Sequence, residues 1–158
     1  QKVHPYRVNA FSSGEDGPLG WVEEGRVRLA QNWSQAQAGW AQRALENSAF
    51  DGDWPRVEIV MNYVGASGST IDALVRDGVR GLVVAATGNA TLHHALQAGL
   101  ERAQQAGLAV RLTTRCPLGR VLALPGSSTA LPLAPGLVPV KARVSLMLEL
   151  LGAQAPAP

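Results

Sequence analysis

The stretch GLVVAATGNATLHHALQAGLERAQQAG, from Gly81 to Gly107, decides the fold. It opens with the apolar run Leu82–Ala86, which is too short and too β-branched for a membrane span and is typical of a strand buried on both faces. The small polar turn Thr87–Thr91 follows, and apolar residues then recur at helical spacing until Gly107 ends the helix. This order places backbone N–H groups at the carboxyl edge of a parallel sheet, where open α/β sheets bind ligands. The sequence therefore predicts a small-ligand site at Thr87–Thr91.

Two more apolar runs, Val57–Tyr63 and Leu108–Thr113, flank this stretch at similar spacing. Between the first and second runs the sequence predicts a helix with Ser69 as N-cap and Asp72 as its capping-box partner. Its inward face would hold Ile71, Leu74 and Val75, and Gly78 would end it. Alternating strands and helices imply right-handed crossovers and a parallel sheet. We predict an α/β fold of three layers, with a Rossmann-like, mostly parallel sheet flanked by helices.

The remaining chain adds an N-terminal arm and a last helix. We interpret residues 1–54 as a linker with a hairpin and residues 55–158 as the compact domain. Lys2–Ala10 alternates loosely and predicts an edge strand or an extended arm, whereas Trp21–Leu29 predicts a hairpin with its turn glycine in the left-handed position. Beyond Cys116 we expect at most one short strand, near Leu131–Leu133. Proline suits a first helical position, so the last helix should run from Pro139 to Leu151.

Composition excludes several classes of function. The 158 residues carry a net charge of only +2, and the arginines are scattered, so no nucleic-acid partner is expected. The single cysteine, Cys116, provides neither a disulfide framework nor a cysteine metal site. No signal peptide or transmembrane stretch is present, and no membrane partner is expected. Localisation is not determined, although a cytoplasmic one is favoured over a periplasmic one. Because the sequence begins at Gln1, we expect that processing or truncation has removed an N-terminal part.

Four ordered segments resemble bacterial L-asparaginases. GLVVAATGNATLHHAL resembles their G-I-V-x-A-G-x-G-N-G-N-x-x-x-A-L stretch, and RLTTRCPLGRV is similar to R-S-S-R-x-P-x-G. PVKARVSLMLEL resembles the P-x-K-A-R-x-x-L-x-L-A-L terminal helix, and FSSGEDGPLGWVEEGRV resembles the linker and hairpin. The resemblance extends from Lys2 to about Leu151. It identifies the chain as the carboxyl-terminal part of an asparaginase/glutaminase-family amidohydrolase.

The resemblance implies that the catalytic threonines lie outside these residues. In the family, T-G-G-T-I-A and H-G-T-D-T motifs of a larger N-terminal domain supply two threonines and an aspartate, and neither Thr-Gly-Gly nor Gly-Thr-Asp occurs here. Lys2 falls at the position of the family's catalytic lysine, although Gln1 stands where threonine is usual. By this resemblance Lys2 would belong to a relay that activates the nucleophile. No metal or organic cofactor is implied.

The resemblance also assigns substrate binding to the central turn. In the family this turn reaches into a neighbouring subunit, where an asparagine or serine helps to hold the α-amino group of the substrate. Thr91 occupies that position here, with Asn89 as a second substrate-binding residue. The family glutamate that joins it has no counterpart, since residues 122–138 contain no acidic side chain. Ordinary recognition of asparagine, and still more that of glutamine, would then need another carboxylate.

Structural interpretations of the same residues remain open. In one interpretation Asn89 caps the following helix and Thr91 lies in the first turn of that helix. In another, Asn89 is present because it tolerates a positive φ. His93 and His94 are adjacent on a helix and point in different directions, so a metal pair is not favoured. Ser67 and Ser69 are interpreted as capping residues rather than as a nucleophile elbow.

From these observations we expect part of an enzyme that hydrolyses L-asparagine to L-aspartate and ammonia. The chain would contribute binding groups at a subunit interface of a homodimer or homotetramer, next to a separate N-terminal domain, and would be inactive alone. The alternatives are a stand-alone α/β ligand-binding or interaction domain, and an amidotransferase component of the same fold.

Overall fold

The computed structural model describes residues 1–30, 54–122, 130–134 and 136–154. The chain forms two compact units, Gln1–Gln37 and Ala38–Pro158, and each is described by itself. The predicted division into residues 1–54 and 55–158 stays a prediction, and its segment from residue 31 to residue 53 lies outside the described residues. None of the described helices has the length and apolar character that crossing a membrane requires.

A two-stranded antiparallel hairpin dominates the first unit. Strands β1 (Gly20–Glu23) and β2 (Arg26–Leu29) pair with Gly20 opposite Leu29 and Glu23 opposite Arg26. Glu24 and Gly25, which connect them, have φ values of 48° and 76°. Two successive left-handed residues are typical of type I′ hairpins, whose twist matches that of the strands. The predicted hairpin and its left-handed glycine are confirmed, and Glu24 also adopts the left-handed conformation.

Residues 1–12 close into a loop and form neither an edge strand nor an extended arm. One isolated bridge joins Lys2 to Phe11, and the Val3 amide donates to the Ala10 carbonyl at 2.7 Å. Within the loop, the imidazole of His4 accepts hydrogen bonds from the backbone amides of Tyr6 and Arg7. These local bonds compete with strand pairing and turn the chain back on itself.

The second unit is built on a parallel three-stranded sheet in the order β3-β4-β5. The strands span Val57–Met61, Gly81–Ala86 and Ala109–Thr114. Helix α1 (Ser69–Arg76) connects β3 to β4, and helix α2 (His94–Gln105) connects β4 to β5. Every residue of β4 is buried, as expected for a central strand covered on both faces. The predicted parallel sheet, with the strand at Leu82–Ala86 buried on both faces, is therefore confirmed.

Two apolar clusters cover opposite faces of this sheet and make the three layers. On one face Leu82 and Val84 pack with residues of α1 and α2, including Ile71 and Leu100. On the other face the cluster comprises Val57, Val83, Ala142 and Leu146, the last two from helix α3 (Pro139–Gln154). Alternate residues of β4 thus point into different layers, which explains its continuous apolar sequence. The predicted three-layer α/β fold is confirmed.

Helix α1 differs from its predicted form at the N-cap and on its inward face. The helix begins at Ser69, and Gly68, which precedes it, makes no side-chain capping bond. The Ser69 hydroxyl lies 2.7 Å from that of Ser67, and Asp72 pairs with Arg102 of α2. The predicted capping box is therefore wrong, because Gly68 rather than Ser69 is the N-cap and the side chains of Ser69 and Asp72 contact other residues. Val75 is 39% exposed and does not belong to the inward face.

The last segments follow the prediction closely. The predicted strand near Leu131–Leu133 is a single parallel bridge between Leu112 and Leu133. Helix α3 begins at Pro139, as predicted, and continues to Gln154. Arg143 of this helix donates to the Val57 carbonyl at 2.7 Å, which fastens α3 to the sheet.

Candidate functional site

The carboxyl ends of the three parallel strands carry polar side chains that converge. Asn62 follows β3, Thr87 follows β4 and Arg115 follows β5. An open cleft of about 430 Å³ lies at this edge. It is lined by Asn62, Tyr63, Val64, Thr87, Thr91, Leu92, His93 and Arg115. The turn Thr87–Thr91, predicted as a ligand site, therefore borders a cleft at the edge where α/β sheets bind ligands.

The turn Thr87–Thr91, called the cleft turn below, is a closed antiparallel loop. The Thr91 amide donates to the Thr87 carbonyl at 2.8 Å, and the Thr87 amide donates to the Thr91 carbonyl at 3.2 Å. Gly88 and Ala90 adopt positive φ values of 49° and 64°. A left-handed alanine is disfavoured by contact of its Cβ with the backbone, so the turn must be held by other contacts.

The structural interpretation of Asn89 as a helix cap is wrong, and so is that of Thr91 as a first-turn helix residue. Helix α2 begins at His94, and its N-cap is His93, whose Nδ1 accepts from the Ala95 amide at 3.3 Å. The helix cannot begin earlier because the Thr91 amide and carbonyl are already paired across the turn. The positive φ lies at Ala90 rather than at Asn89.

Asn62 holds the cleft turn from the side of β3. It is 5% exposed, and its Nδ2 donates to Thr87 Oγ1 at 3.3 Å and to the Thr91 carbonyl at 3.2 Å. Its Oδ1 accepts from the His93 amide at 2.8 Å. This residue was not predicted as a site residue, because Asn62 lies within the apolar run Val57–Tyr63 that predicts a strand. A buried amide needs partners, so an asparagine within an apolar run was the available signal.

Asn89 holds a different segment. Its Oδ1 accepts from the Leu122 amide at 2.7 Å, and its Nδ2 donates to the Leu122 carbonyl at 3.0 Å. In addition, the Thr114 hydroxyl donates to the Gly88 carbonyl at 2.6 Å. Both polar groups of the Asn89 amide are thus engaged in fixing the chain. Its role in substrate binding stays a prediction.

Thr91 is exposed and lines the cleft. Within the described residues its hydroxyl has no hydrogen-bond partner, although its backbone is firmly paired. A hydroxyl both donates and accepts, so it can meet either an ammonium or a carboxylate of a small ligand. The substrate-binding role of Thr91 stays a prediction.

Lys2 belongs to the first unit and is exposed. Its Nζ lies 6.0 Å from the centre of the Phe11 ring, at the outer limit of a cation–π contact. Its backbone forms the bridge to Phe11 that closes the N-terminal loop. The catalytic role of Lys2 stays a prediction.

The residues that line the cleft are suited to binding a ligand rather than to catalysing a reaction. Its described residues include one permanent cation, Arg115, and no carboxylate, and neither of the threonine hydroxyls is hydrogen-bonded to a described histidine or carboxylate base. Activation of a hydroxyl nucleophile requires an adjacent base or another group that lowers its pKa. His93 and His94 stack on each other with 4.3 Å between ring centres, and in the described ranges no group of three or more His, Cys, Asp or Glu could hold a metal ion.

This chain is similar to a known protein family and to several characterised proteins. Residues 56–156 match the family model described as the glutaminase/asparaginase C-terminal domain. L-asparaginase 2 of Escherichia coli (strain K12) is 32% identical over 122 residues, which cover 75% of this chain and 33% of that protein. A glutamyl-tRNA(Gln) amidotransferase component from Aeropyrum pernix is 31% identical over 123 residues, which cover 77% of this chain and 28% of that protein.

A solved structure extends the similarity to nearly the full length of the chain. The crystal structure of a probable cytoplasmic L-asparaginase from Campylobacter jejuni superposes with a TM-score of 0.77 and 31% identity, covering 98% of this chain and 48% of that one. The chain thus spans about half of this structure and, as matched, about a third of the curated relatives.

Proposed function

Because this chain belongs to the glutaminase/asparaginase family, with the family's C-terminal domain at residues 56–156, we propose that the whole protein hydrolyses L-asparagine to L-aspartate and ammonia. In this proposal the second unit contributes the substrate-binding residues at the edge of the active site, called the rim below. Thr91 contacts the substrate through its hydroxyl, and Asn89 contributes by fixing the neighbouring segment at Leu122.

The observation that carries the proposal is the state of the Thr91 side chain. Its backbone amide and carbonyl are both paired, yet no described residue hydrogen-bonds to its hydroxyl, which borders the cleft. A rigid backbone with an uncommitted polar group suits ligand binding, because little conformational entropy is lost when the ligand arrives. Arg115 adds a positive charge that suits the carboxylate of an amino acid.

The reactive groups come from elsewhere in this proposal. The described cleft lining lacks a hydroxyl with an adjacent base, so the nucleophilic threonine would belong to the family's N-terminal domain. Lys2 would be part of the relay that activates it. The rim and the nucleophile would meet across the subunit interface of a homodimer or homotetramer.

A second candidate function is that of an amidotransferase component. It is favoured by the relatives named as glutamyl-tRNA(Gln) amidotransferase components, which match a similar share of this chain at nearly the same identity as the asparaginase. Both functions release ammonia from a side-chain amide. They differ in its destination, since an amidotransferase passes the ammonia to an aminoacyl-tRNA acceptor.

The decisive experiment measures ammonia and aspartate released by the whole protein from L-asparagine, with L-glutamine as a parallel substrate. Turnover of asparagine that is independent of aminoacyl-tRNA supports the asparaginase. Turnover that needs a tRNA-bearing partner supports the amidotransferase component, and binding of the amino acid without turnover supports a ligand-binding domain. Residues 1–158 alone should release no ammonia, and turnover by them would place the nucleophile inside this chain.

A further inference from the structure

The position of Thr91 is set by residues outside the cleft turn's own backbone. The turn contains a left-handed alanine, Ala90, which by itself favours other conformations. Its two backbone bonds join Thr87, which is half-buried, to Thr91, which is exposed at the sheet edge where water competes for hydrogen bonds. A further set of contacts is therefore needed to hold Thr91 in one place.

Asn62 makes those contacts, and chemistry settles the orientation of its amide. The backbone N–H of His93 can only donate, so the atom it meets at 2.8 Å must be the oxygen Oδ1. The nitrogen Nδ2 then faces the turn and donates to Thr87 Oγ1 and to the Thr91 carbonyl. One buried side chain thus joins both ends of the cleft turn and the residue that caps α2.

The Thr87 hydroxyl completes the arrangement. It accepts from Asn62 Nδ2 and donates to the Thr91 carbonyl at 3.0 Å. Three donors therefore surround one carbonyl oxygen: the Thr87 amide, the Thr87 hydroxyl and the Asn62 amide. That oxygen belongs to the residue whose side chain borders the cleft.

We infer that Asn62 and the Thr87 hydroxyl are positioning residues that hold the Thr91 carbonyl and so determine where the Thr91 hydroxyl is presented. The structural part of this inference stands on the hydrogen bonds alone. Its consequence for catalysis rests on the proposed function, in which Thr91 binds the substrate.

The structural test compares amide hydrogen exchange in the whole protein for three variants. Thr87→Val removes the hydroxyl at nearly constant shape, and Thr87→Ser keeps it as the matched control. Asn62→Asp keeps the acceptor for the His93 amide but loses the donor to the turn. We expect the Thr91 amide to exchange at least about tenfold faster in Thr87→Val and Asn62→Asp, because each variant loses two of the hydrogen bonds that hold the turn. Thr87→Ser should retain the original rate.

The amide of Val84, inside β4, distinguishes positioning from general stability. In a positioning role the Val84 rate stays unchanged while the Thr91 rate rises. An equal rise at both amides would mean that these side chains stabilise the whole unit, and it would overturn the inference. An unchanged Thr91 rate in both Thr87→Val and Asn62→Asp would overturn it as well.

Kinetics of the whole protein then separate this inference from the proposed function. If both hold, Thr87→Val raises KM for asparagine about tenfold with kcat nearly unchanged, and Thr87→Ser restores the original KM. Faster Thr91 exchange with an unchanged KM would leave the positioning role standing and remove Thr91 from the substrate site. A raised KM without faster Thr91 exchange would contradict the positioning role, because the effect would then act by another route.

Discussion

The hairpin turn at Glu24–Gly25 and the cleft turn at Thr87–Thr91 both contain residues with positive φ, but different contacts hold the two turns in place. Each reverses an extended chain, and each contains one glycine and one other residue with a positive φ, Glu24 or Ala90. The hairpin turn is held by the pairing of its own two strands. The cleft turn is held by contacts with other segments: the side chains of Asn62 and Thr114 bond to its backbone, and its own Asn89 side chain bonds to the backbone of Leu122. A turn held from outside can present a side chain at a defined position, which a binding site requires.

The strands behind the two turns should differ most in stability. Leu82, in the strand that leads to the cleft turn, is 0% exposed, whereas Leu29 of the hairpin is 49% exposed. Leu82→Ala should lower the free energy of unfolding by about 3 kcal/mol, since it removes buried surface and leaves a cavity. Leu29→Ala should change it by less than about 0.5 kcal/mol. Urea unfolding followed by circular dichroism measures both, and similar losses would show that the hairpin is also supported by a buried core.

The next effect concerns the function of the cleft turn. Thr91→Val should lower kcat/KM for asparagine about tenfold in the whole protein, because one hydrogen bond to the substrate is lost at constant shape. Thr70→Val, at an exposed position on α1, is the control and should leave kcat/KM unchanged. Equal kinetics for the Thr91 variant and the original protein would exclude Thr91 from substrate binding.

Glu24 and Ala90, the non-glycine residues with positive φ in the two turns, allow the same substitution to be tested in both, with a smaller expected effect. The left-handed conformation of a residue other than glycine lowers the stability of the folded state by about 1–2 kcal/mol. Replacement by glycine removes this strain, but the greater freedom of glycine in the unfolded chain offsets about 0.5–1 kcal/mol of the gain. Ala90→Gly and Glu24→Gly should therefore each stabilise their turn by roughly 0.5–1 kcal/mol. Thermal unfolding measures the first change, and exchange of the β1–β2 amides measures the second. Destabilisation by Ala90→Gly would mean that the alanine methyl group contributes packing that outweighs the strain.

The smallest effect is a pH dependence confined to the hairpin. The Cζ atom of Arg28 lies 4.4 Å from the centre of the Trp21 ring. A hydrogen bond from Arg28 also lowers the pKa of Glu23 below its ordinary value of 4.5. The pair is therefore fully formed above that value and is lost as the pH falls through the lowered pKa. The NMR signal of the Trp21 indole should shift in that acidic range, and Glu23→Gln should abolish the shift.

The cleft turn is the internal control for this titration. Because no carboxylate is among the described residues that line the cleft, the Thr91 amide signal should stay constant over the same acidic range. The exposed ion pair contributes little to stability, so neither unit should unfold as Glu23 is protonated. A Thr91 shift that parallels the Trp21 shift would show that a carboxyl group outside the described lining acts on the cleft.

Local patterns predicted most of the fold because each depends on neighbours in the chain. The continuous apolar run of β4, the glycine of the hairpin turn and Pro139 at the start of α3 all lie where the sequence placed them. Two of the errors arose where a side chain bonds to a distant partner rather than to the nearby helix end. Asp72 pairs with Arg102 rather than capping α1, and Asn89 binds Leu122 rather than capping α2.

By itself the sequence determined the α/β class, the parallel direction of the strands and the resemblance to the asparaginases, and it selected the turn that borders the cleft. Periodicity and turn chemistry act over a few residues, and they are legible in one chain. Only the tertiary structure decided that the cleft turn is a closed loop, that α2 begins at His94 and that Asn62 holds Thr91 in place. The physical reason is that a buried amide takes whichever partners folding brings within hydrogen-bond distance, and these lie 25 to 31 residues away.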